Sequence, residues 1–541
     1  MLRVRSLGRI TFAEANDVQH ALVDAPDDYL LLFEHPPTYT RGVRASDSSF
    51  RRAIDPREAT VVDADRGGDV TFHGPGQLVA WMIATVDDDP SAGRLHVAAL
   101  EAAVAQAVRR ADPHSTLGRV GALEGYPGVW AHVATNPVKI AQVGVRTERS
   151  RDGRRRTLHG IALNVTVDLA YFNDIVPCGI ADRPVGSLAS LGVDVSLRDM
   201  ENLLVDEFVD QRGGPSSLVT VDHSEASHSD ERPLIRRLRK AGVDPDVALP
   251  MATRKPEWLR LPAHMGEEYT KLRSLTADLS LVTVCEEAGC PNIFECWNDG
   301  TATFMVNGER CTRACGFCLV DTRKPMPLDP TEPARVAEAV ERLNLAHAVV
   351  TCVARDDLSD GGAGAIAATI EAIRARRPHT DVEVLISDCR GDHASQEIIF
   401  RARPTILNHN IETVARLQRA VRPSAGYLRS LAVLARAKAA GLTTKSGLMV
   451  GLGETRDEVH ETLIDLASVG VDIVTIGQYL RPTAQHLPVS RWWTPEEFDE
   501  LAEFGRSVGL GFVQSSPLTR SSYHARDAAR EATPVAVRLR S

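Results

Sequence analysis

Apolar positions in the first two hundred residues switch period repeatedly. Tyr29-Leu30-Leu31-Leu32-Phe33 is an unbroken apolar run of strand length, which predicts a buried strand. Val97, Leu100, Val104 and Val108 recur every three or four residues and predict a helix within about 93–111. Lys139–Val145 and Leu158–Val165 read as strands flanking the turn Arg151-Asp152-Gly153-Arg154. This mixture predicts an α+β domain on a mixed or antiparallel sheet. Further along the rhythm becomes regular. Strand-like runs fall near 302–306, 347–352, 382–386, 404–408, 443–449, 472–476 and 511–514, with helical stretches between most of them. Val459, Leu463 and Leu466 share one such helix face. Regular alternation predicts parallel strands in a full or partial (β/α) barrel. Chemistry in such barrels sits on loops at the C-terminal ends of strands, and the loop after the first strand carries Cys311, Cys315 and Cys318.

Between the two rhythms, Gly213-Gly214-Pro215-Ser216-Ser217 opens a polar, turn-prone stretch that continues through Asp230. It reads as a linker over 213–232 between domains 1–212 and 233–541. A long surface loop inside one domain is the alternative, and the change of rhythm speaks against it. The chain has 541 residues, 43% hydrophobic and 25% charged, which excludes a mainly disordered, collagen-like or coiled-coil protein. A net charge of −10 disfavours a general nucleic-acid binder. No apolar run approaches the ~18–20 residues of a membrane span, and Met1–Ser6 lacks a secretory apolar segment. The expectation is a cytoplasmic protein without nucleic-acid or membrane partners.

Six of the nine cysteines crowd between Cys285 and Cys318. Without a secretory leader such crowding reads as a metal site rather than a disulfide framework. Cys311-Thr312-Arg313-Ala314-Cys315-Gly316-Phe317-Cys318 is spaced C-x3-C-x2-C. Three thiolates on a short loop leave one corner of a [4Fe–4S] cube without a protein ligand, where a small amino acid derivative can chelate. Thiolates suit zinc as well, so a zinc site and unliganded thiols stay open on spacing alone. Cys352 and Cys389 read as ordinary core thiols. Cys178 stands alone in the first half, as a candidate nucleophile or a small buried hydrophobe. Upstream of it, Arg66-Gly67-Gly68-Asp69-Val70-Thr71-Phe72-His73-Gly74-Pro75-Gly76-Gln77 lets a backbone approach a ligand closely, yet no Gly-Lys-Ser/Thr follows, so a P-loop is excluded.

The second half resembles lipoyl synthase, a radical S-adenosylmethionine enzyme, over about 255–525. The likeness rests on the C-x3-C-x2-C loop, on Cys285-x4-Cys290-x5-Cys296, on Asn408-His409-Asn410-Ile411-Glu412-Thr413, on Gly447–Glu454 and on Arg520-Ser521-Ser522-Tyr523. The resemblance implies two [4Fe–4S] clusters. One would sit on Cys311, Cys315 and Cys318 and bind S-adenosylmethionine at its open iron. The other would sit on Cys285, Cys290, Cys296 and Ser522 and supply sulfide. A reducing electron donor would start each cleavage, and a 5′-deoxyadenosyl radical would open C6 and C8 of an octanoyl chain to sulfur. Gly451–Glu454 and Arg355-Asp356-Asp357 either shape the cofactor pocket or form tight strand–helix turns.

The first half resembles lipoyl(octanoyl) transferase over about 1–212, whose fold is like that of the biotin and lipoate protein ligases. The motifs are the Arg66–Gln77 run, Lys139-Ile140-Ala141, His159-Gly160-Ile161-Ala162-Leu163-Asn164 and Pro177-Cys178-Gly179. The family moves an octanoyl group from acyl carrier protein to a lysine of a lipoyl domain, in 2-oxoacid dehydrogenases or the glycine cleavage H protein. By that resemblance Cys178 carries the acyl thioester and Lys139 is its proton partner. Arg66 to His73 (with Gly67, Gly68, Asp69, Val70, Thr71 and Phe72), Gln142, Val143, Gly144, Gly160, Ile161 and Ala162 wall the acyl tunnel. Backbone N–H groups of Gly67, Gly68, Gly160 and Gly179 are candidates for an oxyanion hole. Arg146, Arg149, Arg151, Arg154, Arg155 and Arg156 form either a docking patch for an acidic carrier or a solvated hairpin tip.

Together the halves read as two consecutive steps of lipoate assembly on one chain. Three rivals stay in view: a zinc-binding regulatory module, an ATP-dependent lipoate ligase in the first half, and another sulfur-inserting radical enzyme in the second.

Overall fold

The computed structural model describes residues 1–133, 136–221, 232–260, 267–279, 281–283, 293 and 303–522. The chain divides into two compact units, Met1–Thr220 and Val221–Ser541. Among the described residues no helix is long and apolar enough to cross a membrane.

The first unit is built on a mixed sheet. Its strands are β1 (Leu2–Arg9), β2 (Asp28–Glu34), β6 (Gln77–Ile83), β8 (Arg119–Leu123), β9 (Tyr126–Val133), β10 (Asn136–Arg149), β11 (Arg155–Asn164) and β12 (Ser216–Thr220). They lie in the order β12-β1-β2-β6-β11-β10-β9-β8, with the two-residue β7 (Thr85–Val86) against β11. β1 runs parallel to β2 and to β12, and the remaining neighbours are antiparallel. The apolar run at Tyr29–Phe33 is buried throughout, as its unbroken pattern requires. Helices α2 (Ala92–Ala111) and α3 (Leu197–Arg212) share a core with the sheet, in which Leu100, Val104 and Val108 meet Leu78, Ala80 and Met82. Alternation along β6 puts Val79 and Trp81 on the opposite face. There helix α1 (Phe12–Ala21), opened by a Thr11/Glu14 capping box, brings Phe12 against Trp81.

A second, three-stranded sheet, in the order β4 (Thr60–Asp63), β3 (Thr38–Arg41), β5 (Val70–His73), completes the unit. Tyr39, Val70, Phe72, Phe172 and Ile175 form its own small core.

Residues 213–220, expected to open a linker, belong to the first unit. Gly213 closes α3 in the left-handed conformation at φ 60°, and Ser216–Thr220 then pairs in parallel with β1. Ser216-Ser217-Leu218-Val219-Thr220 is polar because it is an edge strand with alternate residues exposed, which composition cannot distinguish from a linker. Residues 222–231, the rest of that stretch, lie outside the described residues.

The second unit holds an eight-stranded sheet in simple sequence order. β13 (Val282–Thr283) runs antiparallel to β14 (Thr303–Val306). From β14 onward every pairing is parallel, through β15 (His347–Cys352), β16 (Asp381–Leu385), β17 (Ile406–Asn408), β18 (Thr443–Val450), β19 (Ile473–Gln478) and β20 (Phe512–Ser515). The helices come in chain order as α4 (Pro233–Lys240), α5 (Glu267–Asp278), α6 (Glu332–Arg342), α7 (Ala363–Arg376), α8 (His393–Arg401), α9 (Gln418–Val421), α10 (Tyr427–Ala439), α11 (Arg456–Ser468) and α12 (Pro495–Ser507). α6 and α7 pack on the sheet through Val336, Val340, Ile366 and Ile370. The strand positions match the runs read from the sequence, and the architecture is a partial (β/α) barrel.

Candidate active sites

In the first unit, Cys178 sits in the turn Pro177–Gly179 with φ 56°, followed by Gly179 at φ 73°. Left-handed backbone is uncommon for a residue with a Cβ and clusters at functional turns. The turn is tied down on both sides. Val176 N–H donates to Ser49 O, and Lys139 N–H to Pro184 O further along the same loop.

The pocket that Cys178 enters is lined by Arg66, Thr71 and His73, by Gln142, Val143 and Gly144 of β10, and by Gly160, Ile161 and Ala162 of β11. Strand alternation decides which of the expected residues reach it. On β5, Thr71 and His73 face the pocket, whereas Val70 and Phe72 enter the small core, where Phe72 stacks on Tyr171 at 4.3 Å. Gly67, Gly68, Asp69 and Lys139 are not among the lining residues. Asp69 instead braces the cysteine turn. Its carboxylate accepts from Ser49 Oγ at 2.6 Å, and a Cβ built on Gly179 would lie 3.1 Å from Asp69 Oδ2. Phe12, Val79, Trp81 and His159 also line the pocket. Sequence reasoning missed them, although the alternation within Gln77–Ile83 carries the signal for Val79 and Trp81.

The pocket is polar at its back. His73 Nδ1 meets Gln77 Oε1 at 2.7 Å, and Gln77 Nε2 donates to Asn164 Oδ1 at 2.9 Å. Burial, with the charges of its neighbours, pushes His73 well below its ordinary pKa, so it stays neutral. Thr71 Oγ1 and Gln142 Nε2 are buried without a hydrogen-bond partner. Arg66 bonds Thr40 through its side-chain and main-chain oxygens. Burial lowers its pKa, and it lines the same pocket as Cys178. Lys139 Nζ is also buried without a hydrogen-bond partner, 5.6 Å from the centre of the Trp130 ring. Two proposed oxyanion donors are committed elsewhere: Gly67 N–H donates to Val145 O and Gly179 N–H to Val176 O. The arginine-rich hairpin is largely ion-paired. Arg149 meets Asp88, Arg151 meets Asp24, and Arg156 is fully buried against Asp28 at 2.9 Å.

In the second unit, the three-cysteine loop follows β14 and is fastened along its length. Thr312 N–H and Oγ1 both bond Ala354 O. Arg313 spans Asp356 with 2.7 and 2.8 Å contacts and reaches Asp388 Oδ1 at 2.6 Å. Gly316 N–H donates to Val421 O, Leu487 N–H to Gly316 O, and His486 Nε2 to Cys318 O. Burial pushes the Cys315 thiol up to about 11 and that of Cys318 up to about 12, and the neighbouring thiols add to both shifts. Three soft donors on one loop fit an iron–sulfur cluster. Among the described residues no three His, Cys, Asp or Glu side chains close around a single ion. Ligands that bind separate irons of a cube stand further apart than ligands sharing one ion.

Cys285, Cys290 and Cys296 lie outside the described residues, and Ser522 is half-buried at the last described position. Gly451–Glu454 forms a strand–helix turn, in which Glu454 accepts from Gly451 N–H at 2.5 Å, Leu452 N–H and Trp493 Nε1. Arg355 pairs with Asp357 and donates to Asn307 O. Cys389 is buried, and burial pushes the half-buried Cys352 thiol up to about 12.

A thiol trio at the C-terminal mouth of a partial parallel barrel defines the class, and residues 305–466 match the model of the radical SAM superfamily. Residues 13–209 match the lipoyl protein ligase A/B catalytic domain. A lipoyl synthase of Mycobacterium sp. (strain KMS) is 54% identical over 272 residues, covering 50% of this chain and 84% of that one. A lipoyl synthase of Mycobacterium leprae (strain Br4923) is 53% identical over 272 residues, covering 50% and 87%. The chain belongs to the lipoyl synthase family. Among solved structures, a bipartite lipoate protein ligase from Thermoplasma acidophilum is 17% identical with a TM-score of 0.31, over 41% of this chain and 87% of that one. The protein is an enzyme of lipoate biosynthesis that joins a domain of the lipoyl protein ligase A/B catalytic type to a lipoyl synthase domain.

Proposed function

We propose that the first unit transfers an octanoyl group from acyl carrier protein to a lysine of a lipoyl domain, and that the second inserts sulfur at C6 and C8 of that chain. The observation that carries the first step is Cys178, held at positive φ and opening into a pocket with an apolar wall and a polar back. Its Sγ attacks the carrier thioester, the carrier thiol leaves protonated, and the acyl group rests on the cysteine. The incoming lysine amine then takes the acyl group and returns the proton to Cys178 Sγ. Arg66 lines the same pocket as Cys178. Lys139, buried without a hydrogen-bond partner, holds the proton in transit. Val79, Trp81 and Ile161 supply apolar wall for the alkyl chain. Arg66, Thr71 and His73 with Gln142–Gly144 and Gly160–Ala162 are our assignment for the substrate-binding region.

For the second step, Cys311, Cys315 and Cys318 would hold one [4Fe–4S] cluster, and Cys285, Cys290, Cys296 and Ser522 another. When bound, these clusters and S-adenosylmethionine supply the electron, the carbon radical and the sulfur. The chain's own part is to fasten the loop, through Thr312 and Arg313, and to keep water from the mouth of the barrel. A reducing donor is required.

Anaerobic incubation with octanoyl-acyl carrier protein, a lipoyl domain, S-adenosylmethionine and reductant tests both steps. Mass spectrometry should show the octanoyl adduct first and two added sulfurs afterwards, with about eight irons bound per chain. An unmodified domain refutes the first step, and an octanoyl adduct without sulfur refutes the second. Modification by free octanoate and ATP in place of the thioester would make the first unit a ligase.

A further inference from the structure

The pocket that Cys178 enters has two ends of different chemistry, and strand register orders them. Val79 of β6, Ala162 of β11 and Gln142 of β10 lie side by side on one rung. Two residues along each strand, Trp81, Gly160 and Gly144 form the next. The first rung is polar on its outer side, where Gln77 Nε2 donates to Gln142 Oε1 at 3.3 Å and His73 meets Gln77. Lys139 lies further along β10 on that same side.

The second rung is aromatic. The Trp81 ring stands 4.8 Å from that of His159 and 5.5 Å from that of Phe12. Phe12 stacks on His159 at 6.3 Å, with the planes 15° apart. His159 takes φ 61°, uncommon for a residue with a Cβ, and it is held there. Its main-chain N–H donates to Gln19 Oε1 of α1 at 2.9 Å, and its ring Nε2 meets Asp65 Oδ1 at 2.6 Å.

The open space of this pocket measures about 20 Å³, room for roughly one water. An octanoyl chain therefore enters only as a side chain gives way. β6, β10 and β11 are each bonded to a neighbouring strand on both sides, which fixes the residues they carry. Among the described lining residues, Phe12 alone is carried by an α-helix, at its first position. Its ring is the wall best placed to turn aside, and the held rings of Trp81 and His159 limit how far.

We infer that Phe12, backed by Trp81 and His159, is the end wall that sets the length of acyl chain accepted by the first unit. The inference deepens the reading of that unit as an acyltransferase and rests on it. Lys139, the proton partner of Cys178 in that reading, places the thioester carbonyl at the polar rung, so the methyl end of the chain points to the aromatic one. Carbons beyond the space that the displaced Phe12 ring frees press on the held rings, and overpacking of that kind is unfavourable. A smaller residue at position 12 gives those carbons an apolar place to lie.

The test compares octanoyl- and dodecanoyl-acyl carrier protein as donors to a lipoyl domain, using the full chain and mass spectrometry of both the Cys178 thioester and the modified domain. Phe12→Ala should raise the ratio of kcat/KM for dodecanoyl over octanoyl by at least about tenfold. Phe12→Trp should move preference the other way, toward a hexanoyl donor over an octanoyl one. Phe12→Leu replaces the alanine variant if the latter does not fold. An unchanged ratio overturns the inference. So does an equal loss for every chain length, which would make Phe12 a purely structural residue. Should the parent chain form no thioester with the octanoyl donor, the acyltransferase reading fails. Calorimetry with free octanoate and dodecanoate then decides the end wall: Phe12→Ala should shift relative affinity toward dodecanoate, and unshifted affinities overturn the inference.

Discussion

Arg313→Met isolates what the loop clamp contributes. Arg313 is 7% exposed and Asp388 0%. The substitution removes three charge-assisted contacts of 2.6 to 2.8 Å and keeps most of the side-chain volume. Asp388 is then left with Arg429 at 3.7 Å. Breaking one partner of a buried pair costs about 3–5 kcal/mol, mostly for stranding the other charge. Burial pushes the Asp388 pKa up, and Arg313 outweighs it and holds the carboxyl below its ordinary value. A depressed carboxyl stabilises the fold above its unfolded pKa of about 3.9, and that contribution fades as pH falls through the folded value. The defect should therefore be fully present at pH 7 and shrink in acid. Arg313→Met with Asp388→Asn removes the stranded charge and should recover at least about half of the loss. Urea unfolding of the cluster-free chain measures stability, and iron per chain after reconstitution measures the loop. A single variant that loses under about 1 kcal/mol, or a double variant no better than the single, would refute the reasoning.

Cys178→Ser should abolish the octanoyl thioester seen by mass spectrometry while leaving bound iron unchanged, because the two sites lie in different units. Cys315→Ala should do the reverse, with octanoyl transfer kept and sulfur insertion lost. Burial lowers His35 and His96 from 6.5 to about 4. Each is neutral when folded, so the stability it lends is present above pH 6.5 and lost as pH falls toward 4, by up to roughly 3 kcal/mol apiece. Thermal melts between pH 7 and 4 should show this, and a flat profile counts against it. Arg156→Glu should lower the melting temperature because Arg156 is fully buried. Arg154→Glu with Arg155→Glu should leave it nearly unchanged, so that any rise in KM for the carrier protein reports docking.

The barrel was legible because parallel strands covered by helices are apolar on both faces and stand out as short runs. Cys178, Arg66 and the Gly160 segment were legible as motifs, and the structure gathers them in one pocket. Val70 and Phe72 show where a motif misleads, since half of a contiguous strand segment points away from the ligand. Phe12 and Trp81 were hidden for the opposite reason: each looks like an ordinary core residue until the fold brings α1 against β6. Ser216–Thr220 was misread because an edge strand and a linker share a composition. The Arg313 clamp joins residues 43 and 75 positions apart and leaves no local trace.

That edge strand also dictates where the gene can be divided. Leu2 N–H donates to Pro215 O, and β1 keeps its outer partner only while Ser216–Thr220 is attached. A stand-alone acyltransferase fragment cut at residue 212 would bare a raw sheet margin and invite self-association. One extended through Val221 would retain its hem, and only such fragments make a fair comparison with the fused chain.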